Sequence, residues 1–144
     1  MRLIIGSDHG GLQLKLELRR LLDERDVEYL DIGCHDATSV DYPDYAHQVA
    51  AAVVEGGFDL GVLVCGTGQG MAMAANRHPG VRAALCTDVF SARMARAHND
   101  ANVLCLGGRV VGPGLARAVL EAFLDTGFEG GRHVARVSSI ELEC

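Results

Sequence analysis

Five short aliphatic segments, each followed by a segment with helical spacing, constrain the fold of this 144-residue chain more than any other feature. The segments are almost continuous runs of Leu, Ile and Val, which is typical of strands buried on both faces of a parallel sheet. Strand and helix alternate along the whole length, so each helix serves as a crossover between parallel strands. The pattern predicts one α/β domain, residues 1–144, folded as a Rossmann-like three-layer α/β/α sandwich around a five-stranded parallel sheet.

Glycine and proline positions set the expected bounds of these elements. The predicted strands are Arg2–Ser7, Val27–Ile32, Leu60–Val64, Arg82–Cys86 and Val103–Leu106. The predicted helices are Leu12–Arg25, Tyr45–Glu55, a third that ends near His78, Asp88–Ala97, Pro113–Thr126 and a last one at about Arg132–Ile140. Ligands of such sheets bind outside the carboxyl ends of the strands, so the residues that follow the strands are the first candidates for a site.

Charge and composition exclude several classes of protein. The formal net charge is −6, which argues against a nucleic-acid or acidic-membrane partner. No apolar run reaches the roughly 20 residues of a membrane span. The five cysteines lack CxxC spacing, which is typical of reduced thiols, so we expect a cytoplasmic protein. We expect no metal or cofactor, because the adjacent Cys34 and His35 have no partner pair at a zinc-site spacing.

The loop CGTGQG, residues 65–70, carries the strongest chemical signal because it directly follows the third predicted strand. Gly66, Gly68 and Gly70 allow backbone N–H groups to approach an anion, and the following helix adds a partial positive charge. The G-x-G-x-G spacing is not that of a dinucleotide-binding fingerprint. The Lys-Ser/Thr pair of nucleotide-triphosphate loops does not follow it either, so the loop predicts a site for another kind of anion.

Cys65 opens this loop, in a position that favours the thiolate form. A thiolate beside N–H donors can attack a carbonyl as a nucleophile. It can also remove a proton from carbon while the N–H groups stabilise the resulting oxyanion. The spacing alone leaves both chemistries open. We interpret Cys34, Cys86 and Cys105 as core residues, because they lie in or beside strands without such a loop.

Other polar residues lie near the ends of predicted strands. Asp8 and His9 follow the first strand, and Arg109 follows the fifth. The run His98–Asp100 comes at the end of the fourth helix, directly before the fifth strand. We expect all of these residues to converge with Cys65 on one edge of the sheet.

Two arginines near the end of the chain form a further candidate. Arg132 and Arg136 lie four residues apart, on one face if the segment is helical. Two guanidinium groups on one face suit the recognition of phosphate. A solvated terminal helix explains the same spacing equally well.

Four separated motifs, GSDHGG, CGTGQG, HNDANVL and GRHVAR, occur in the order found in the type B ribose-5-phosphate isomerases. The chain resembles that family from Met1 to about Val137, and the family also contains galactose-6-phosphate and allose-6-phosphate isomerases. The resemblance implies a metal-independent aldose–ketose isomerase that interconverts ribose 5-phosphate and ribulose 5-phosphate through a cis-enediolate. The alternatives are an isomerase of galactose 6-phosphate, allose 6-phosphate or a tetrose phosphate, a non-catalytic sugar-phosphate-binding subunit, or a thiol hydrolase.

The resemblance also implies roles for individual residues. Cys65 resembles the general base, Thr67 the hydroxyl that assists it, and His98 the group that opens the sugar ring. The substrate-binding set implied by the resemblance is Asp8, His9, Tyr42, Gly66, Gly68, Gly70, Asn99, Arg109, Arg132 and Arg136. One branch of the family has serine at the cysteine position and a glutamate base after the last glycine. Met71 stands at that second position here, which favours the thiol as the base.

The family resemblance further implies that the site is shared between subunits. We therefore expect a homodimer or a tetramer whose ligand is a small sugar phosphate. The last predicted helix, at about residues 132–140, is expected to reach the partner subunit, because a chain end can extend across to a neighbour. Arg132 and Arg136 would then bind phosphate in the partner's site.

Overall fold

The computed structural model describes residues 1–142, which form a five-stranded sheet and six helices. The strands are β1 (Arg2–Ser7), β2 (Glu28–Asp31), β3 (Leu60–Cys65), β4 (Ala83–Leu85) and β5 (Val103–Gly107). The helices are α1 (Leu12–Glu24), α2 (Tyr42–Val54), α3 (Gln69–Ala75), α4 (Val89–Ala97), α5 (Pro113–Asp125) and α6 (His133–Ser138). None of these helices of residues 1–142 is long and apolar enough to cross a membrane.

All neighbouring strands pair in parallel, in the order β2-β1-β3-β5-β4. The central strands β3 and β5 are buried along their whole length, which explains why their sequences are aliphatic without alternation. The edge strands β2 and β4 are only partly buried. The predicted fold class, an α/β sandwich around a five-stranded parallel sheet, is confirmed.

Successive side chains of each strand enter two separate cores, one on each face of the sheet. Leu3 and Ile5 pack against α1, α4 and α5, whereas Ile4 between them packs on the opposite face. That second core contains α2, α3 and the side chain of Cys65. The candidate thiol therefore lies on the face covered by α2 and α3, at the end of a fully buried strand.

Two helix bounds differ from the prediction in ways that affect the site. Helix α2 begins at Tyr42 instead of Tyr45, because Pro43 fits the first turn, where its missing N–H removes no helical hydrogen bond. Tyr42 therefore projects from a helix start. Helix α6 spans only His133–Ser138, and Arg132 is its N-cap residue.

A buried ion pair joins α1 to the end of β2. The Lys15 side chain is 0% exposed, and its Nζ lies 2.7 Å from Asp31 Oδ1 and 2.7 Å from the Cys34 carbonyl oxygen. Asp31 also accepts hydrogen bonds from Arg19 Nη1 (3.0 Å) and from the Gly33 N–H (2.8 Å). The loop after β2 is thus fixed to α1 by a charged group that has no access to water.

Candidate active site

The thiol of Cys65 lies at the carboxyl end of β3 and receives a backbone hydrogen bond. The N–H of Gly68 donates to Cys65 Sγ over 3.1 Å. This turn requires Gly68 to have a φ of +80°, a left-handed conformation that glycine adopts without strain. A Cβ at Gly68 would also lie 2.6 Å from the Leu85 side chain. Glycine at this position therefore aims an N–H group at the sulfur.

The loops after β1, β3 and β5 interlock around this thiol. Gly108 N–H donates to the Cys65 carbonyl oxygen (2.8 Å), and Arg109 N–H donates to the Gly66 carbonyl oxygen (3.0 Å). A Cβ at Gly11 would overlap the carbonyl group that precedes the Cys65 nitrogen, so the β1 loop passes directly against β3. A Cβ at Gly107 would lie 2.7 Å from the backbone of the glycine loop. Close backbone packing thus brings three strand ends into one surface.

Three predicted site residues lie on these loops, at the edge of the sheet that carries Cys65: Asp8, His9 and Arg109. The Asp8 side chain is buried and its Oδ1 accepts the Gly11 N–H over 3.0 Å. His9 Nδ1 accepts the Val40 N–H over 3.2 Å, so in the neutral ring the proton is on Nε2. That nitrogen is a hydrogen-bond donor suited to a sugar or phosphate oxygen. Arg109 is exposed, and its guanidinium lies over Gly66.

Thr67 and Tyr42 complete the group of predicted residues at this edge. Thr67 is exposed, and its Oγ1 accepts the Gln69 N–H over 3.3 Å. The Tyr42 ring lies against Gly70, where a Cβ would come within 2.6 Å of two ring carbons. Gly70 therefore makes room for the ring beside the glycine loop.

The prediction that His98–Asp100 converges with Cys65 on one edge is wrong within a single chain. Helix α4 runs back against the strand direction, so His98, which follows it, lies at the amino end of β5. Cys65 is paired with Gly107 at the other end of β5, while Val103 is paired with Gly61. Four residues of parallel strand separate the two ends by about 13 Å.

Arg132 and Arg136 lie at the same edge of the sheet as His98, the edge formed by the amino ends of the strands. Helix α5 also runs back from the carboxyl edge, and the Glu129 N–H donates to the Ala97 carbonyl oxygen over 3.0 Å. Both arginines and Asn99 are exposed there. The predicted site residues thus form two groups, one around Cys65 and one around His98.

His98 has two neighbours that the sequence analysis did not select. Its ring stacks on the ring of His133, with centroids 4.2 Å apart and planes inclined by 11°. Glu129 Oε2 lies 3.8 Å from His98 Nε2 and 3.6 Å from His133 Nε2. Burial lowers the pKa of His133, and the charges of His98 and Arg132 act in the same direction. The spacing of Glu129 and His133, four residues apart, is the one sequence signal that could have indicated this cluster.

The remaining described cysteines differ from Cys65 in their surroundings. Cys34, Cys86 and Cys105 are buried and free. Burial raises the pKa of Cys86 to about 11 and also raises that of Cys105. The interpretation of these three cysteines as core residues is confirmed, because all three are buried.

The sequence matches the model of one protein family over nearly its whole length. The profile of the Ribose/Galactose Isomerase family matches residues 3–140. The chain belongs to the ribose/galactose isomerase family. It is accordingly an isomerase enzyme, as the four sequence motifs predicted.

Solved structures of similar proteins share the fold over nearly their whole length. Ribose-5-phosphate isomerase B from Clostridium thermocellum superposes with a TM-score of 0.96 at 51% identity, covering 97% of this isomerase and 95% of that chain. The type B ribose 5-phosphate isomerase of Trypanosoma brucei gives a TM-score of 0.93 at 47% identity, with 96% and 95% covered.

Curated relatives agree with this assignment. Ribose-5-phosphate isomerase B of Escherichia coli is 48% identical over 139 residues, covering 96% of this isomerase and 93% of the relative. The putative sugar phosphate isomerase YwlF of Bacillus subtilis is 51% identical over 141 residues, with 97% and 95% covered.

The residue after the glycine loop of this isomerase cannot act as a base. Met71 occupies that position, and its side chain is 0% exposed in the core beneath α2 and α3. Residues 65–71 contain one thiol, that of Cys65, and no carboxylate or imidazole.

Proposed function

We propose that this isomerase interconverts ribose 5-phosphate and ribulose 5-phosphate through a cis-enediolate, with Cys65 as the general base. One observation carries the proposal: a thiol at the end of β3 lies 3.1 Å from a backbone N–H of the glycine loop. This N–H stabilises the thiolate as a proton acceptor, and we assign the remaining N–H groups of the same loop as donors for an oxyanion. The names of relatives at 48% and 51% identity support the substrate class.

The proposed reaction moves one proton between neighbouring carbon atoms of the open-chain sugar. The Cys65 thiolate takes the proton from C2 of the aldose, so a C–H bond breaks and an S–H bond forms. The electron pair of that bond forms the C1–C2 double bond of the enediolate while the carbonyl pair moves onto O1. The two oxygens are held by N–H groups of residues 66–70 and by Asn99 of the partner subunit. The thiol then returns the proton to C1, and the Thr67 hydroxyl transfers the proton between the two oxygens. This chemistry requires no metal, because the N–H groups polarise the carbonyl.

The proposed site takes residues from two chains. Asp8, on the Cys65 edge, binds the sugar hydroxyls, and Tyr42 lies beside the substrate. His98 of a partner subunit opens the furanose ring by moving a proton between the ring oxygen and the C1 hydroxyl. The phosphate is bound by three side chains drawn from both edges, those of His9, Arg132 and Arg136, and Arg109 is a further arginine of the site. The separation of the Cys65 and His98 groups within one chain supports this arrangement.

We further propose that residues 1–144 act as one domain in a homodimer or tetramer. The segment at about 132–140 contributes to the partner's site, since α6 carries Arg136 on an exposed face. A shared site makes the two groups of residues complementary parts of one active centre.

Mixing two defective variants should restore activity if the sites are shared. Cys65→Ala removes the base, and Arg136→Ala weakens phosphate binding and should mainly raise KM, because that contact is kept in ground and transition states. After random exchange between the two variants in a two-fold dimer, about a quarter of the sites would carry neither defect. We expect activity to approach that fraction of the wild-type rate, measured at substrate concentrations where each parent is nearly inactive.

Native mass spectrometry must confirm subunit exchange in the same samples. The matched control is a mixture of Cys65→Ala with Cys65→Ala/Arg136→Ala, which contains no intact combination. Confirmed exchange without a gain over the parents would show that each site is built from a single chain.

Parallel rate measurements on four sugar phosphates test the substrate. We expect the highest kcat/KM on ribose 5-phosphate, compared with allose 6-phosphate, galactose 6-phosphate and erythrose 4-phosphate. Unphosphorylated ribose is the matched control, because it retains the reacting carbons and lacks the anion that the arginines bind. A higher kcat/KM on one of the other three phosphates would show that this sugar phosphate, and not ribose 5-phosphate, is the preferred substrate.

A further inference from the structure

We propose that His98, Glu129 and His133 form an inhibitory binding site for Zn²⁺, distinct from the proton-transfer group around Cys65. Each of the three side chains offers one ligand atom, and these atoms lie within 4.8 Å of one another. Two imidazoles and one carboxylate are a ligand set that zinc uses with an open fourth position.

The distances are close to those of a coordination shell. Zinc lies about 2.0–2.1 Å from nitrogen and oxygen ligands, so the ligand atoms of a tetrahedral site are about 3.3 Å apart. Glu129 Oε2 is 3.8 Å from His98 Nε2 and 3.6 Å from His133 Nε2, so each of these two distances between ligand atoms needs to shorten by only a few tenths of an ångström. The stacked rings must also turn about the Cβ–Cγ bond to face one ion, and this torsion is broad for histidine.

The backbone holds the three ligands together before any ion binds. The Glu129 N–H donates to the Ala97 carbonyl oxygen, which fixes Glu129 beside the residue that follows α4, His98. The His133 N–H donates to the Gly130 carbonyl oxygen over 3.0 Å, and its side chain is 8% exposed. Glu129 and His98 are 59% and 34% exposed, so the open side of the cluster faces solvent and an ion can enter.

The charges around the cluster select the kind of cation. Arg132 and Arg136 lie on the same short segment and oppose any dication, while Glu129 supplies one negative charge. Mg²⁺ and Ca²⁺ prefer several oxygen ligands, which one carboxylate does not provide. Zn²⁺ binds imidazole nitrogen well, so it can bind here although two arginines and only one carboxylate surround the cluster.

A zinc ion at this position would be coordinated by the Nε2 lone pair of His98, which could then no longer accept a proton. Under the proposed function the His98 ring transfers a proton during ring opening, so an ion bound to this ring would block turnover of the cyclic sugar while leaving Cys65 untouched. This consequence rests on the proposed function, whereas the binding site itself does not.

Zinc affinity of tag-free, full-length protein, measured by competition with a chromophoric chelator, tests the site directly. We expect about one Zn²⁺ per chain in the wild type and at least a tenfold weaker affinity in Glu129→Gln, since even the loss of outer-shell partners costs about 10–100-fold. Glu129 is exposed, so this variant should fold normally, and His133→Asn provides a second ligand deletion.

Two control variants test other groups of the chain that could bind zinc. His47→Asn disrupts a second histidine pair, in which His47 Nδ1 lies 2.8 Å from His78 Nε2, and Cys65→Ser removes the soft thiol ligand. Both should retain wild-type zinc affinity. Equal affinity in wild type and Glu129→Gln, or a loss of binding in either control, would overturn the site.

Inhibition separates this inference from the proposed function. We expect Zn²⁺ to inhibit the isomerisation of ribose 5-phosphate in wild type and His47→Asn, and a chelator to restore the full rate. Glu129→Gln should require at least tenfold more zinc for the same inhibition. Zinc binding at this cluster without inhibition would overturn the role of His98 in ring opening, whereas absence of binding with full isomerase activity would overturn the zinc site alone.

Discussion

Replacing Cys65 with alanine should lower kcat on ribose 5-phosphate by roughly 10²–10⁴-fold, the range typical for loss of a general base. The backbone that binds the substrate oxygens is unchanged in this variant, so substrate affinity should remain close to that of the wild type. Steady-state rates and equilibrium binding of the substrate, measured on the same preparation, separate the two effects.

Cys105→Ala is the matched control for this experiment. It also removes one thiol from the core on the α2 and α3 face, but from the middle of β5 and without a glycine loop. We expect a loss of stability of about 1 kcal/mol from the small cavity and kcat within threefold of wild type. Retention of kcat within threefold in Cys65→Ala itself would remove the thiol from the proton-transfer step.

Replacing Asp31 with alanine should cost about 3–5 kcal/mol of the free energy of unfolding, the usual effect of leaving a buried charge unpaired. Lys15 Nζ would keep only the Cys34 carbonyl oxygen as a partner at 2.7 Å, with no contact with water. Urea denaturation at equal protein concentrations measures the loss.

Two comparison variants identify the source of this destabilisation. Arg19→Ala removes the partly exposed partner of the same carboxylate, which should cost about 1 kcal/mol or less. The double variant Lys15→Met/Asp31→Asn removes both charges and should recover much of the loss. A double variant as unstable as Asp31→Ala would show that packing around Asp31, and not the unpaired ammonium, causes the effect.

Local sequence patterns predict the fold and the Cys65 half of the site. The strand, glycine loop and helix around residues 60–75 are contiguous, so the position of the thiol follows from the order of the elements. The predicted start of α2 was wrong by three residues, because Pro43 fits a helical first turn as well as it fits a loop. The parallel pairing and the helices on both faces of the sheet follow from the aliphatic runs and the alternation of strand and helix, whereas the strand order β2-β1-β3-β5-β4 was not predicted.

Features that depend on distant contacts were not predicted. The position of His98 shortly before β5 in the sequence does not indicate the carboxyl edge, because helix α4 runs opposite to the strands and ends at the amino end of β5. The contact of His98 with Glu129 joins residues 31 positions apart, and the Lys15–Asp31 pair joins residues 16 apart. Neither pair has a spacing set by helical or strand geometry, so only the folded chain shows them.

The interlocked glycines also limit how substrate preference can change during evolution or design. Gly11 and Gly107 hold the backbones of three loops so close together that no side chain fits between them, and an insertion in one loop would displace the other two. These loops therefore vary as a unit or not at all. Adaptation to a longer or shorter sugar must come from side chains on the rim that take no part in proton transfer, such as Tyr42, which is exposed and can change size without moving the thiol.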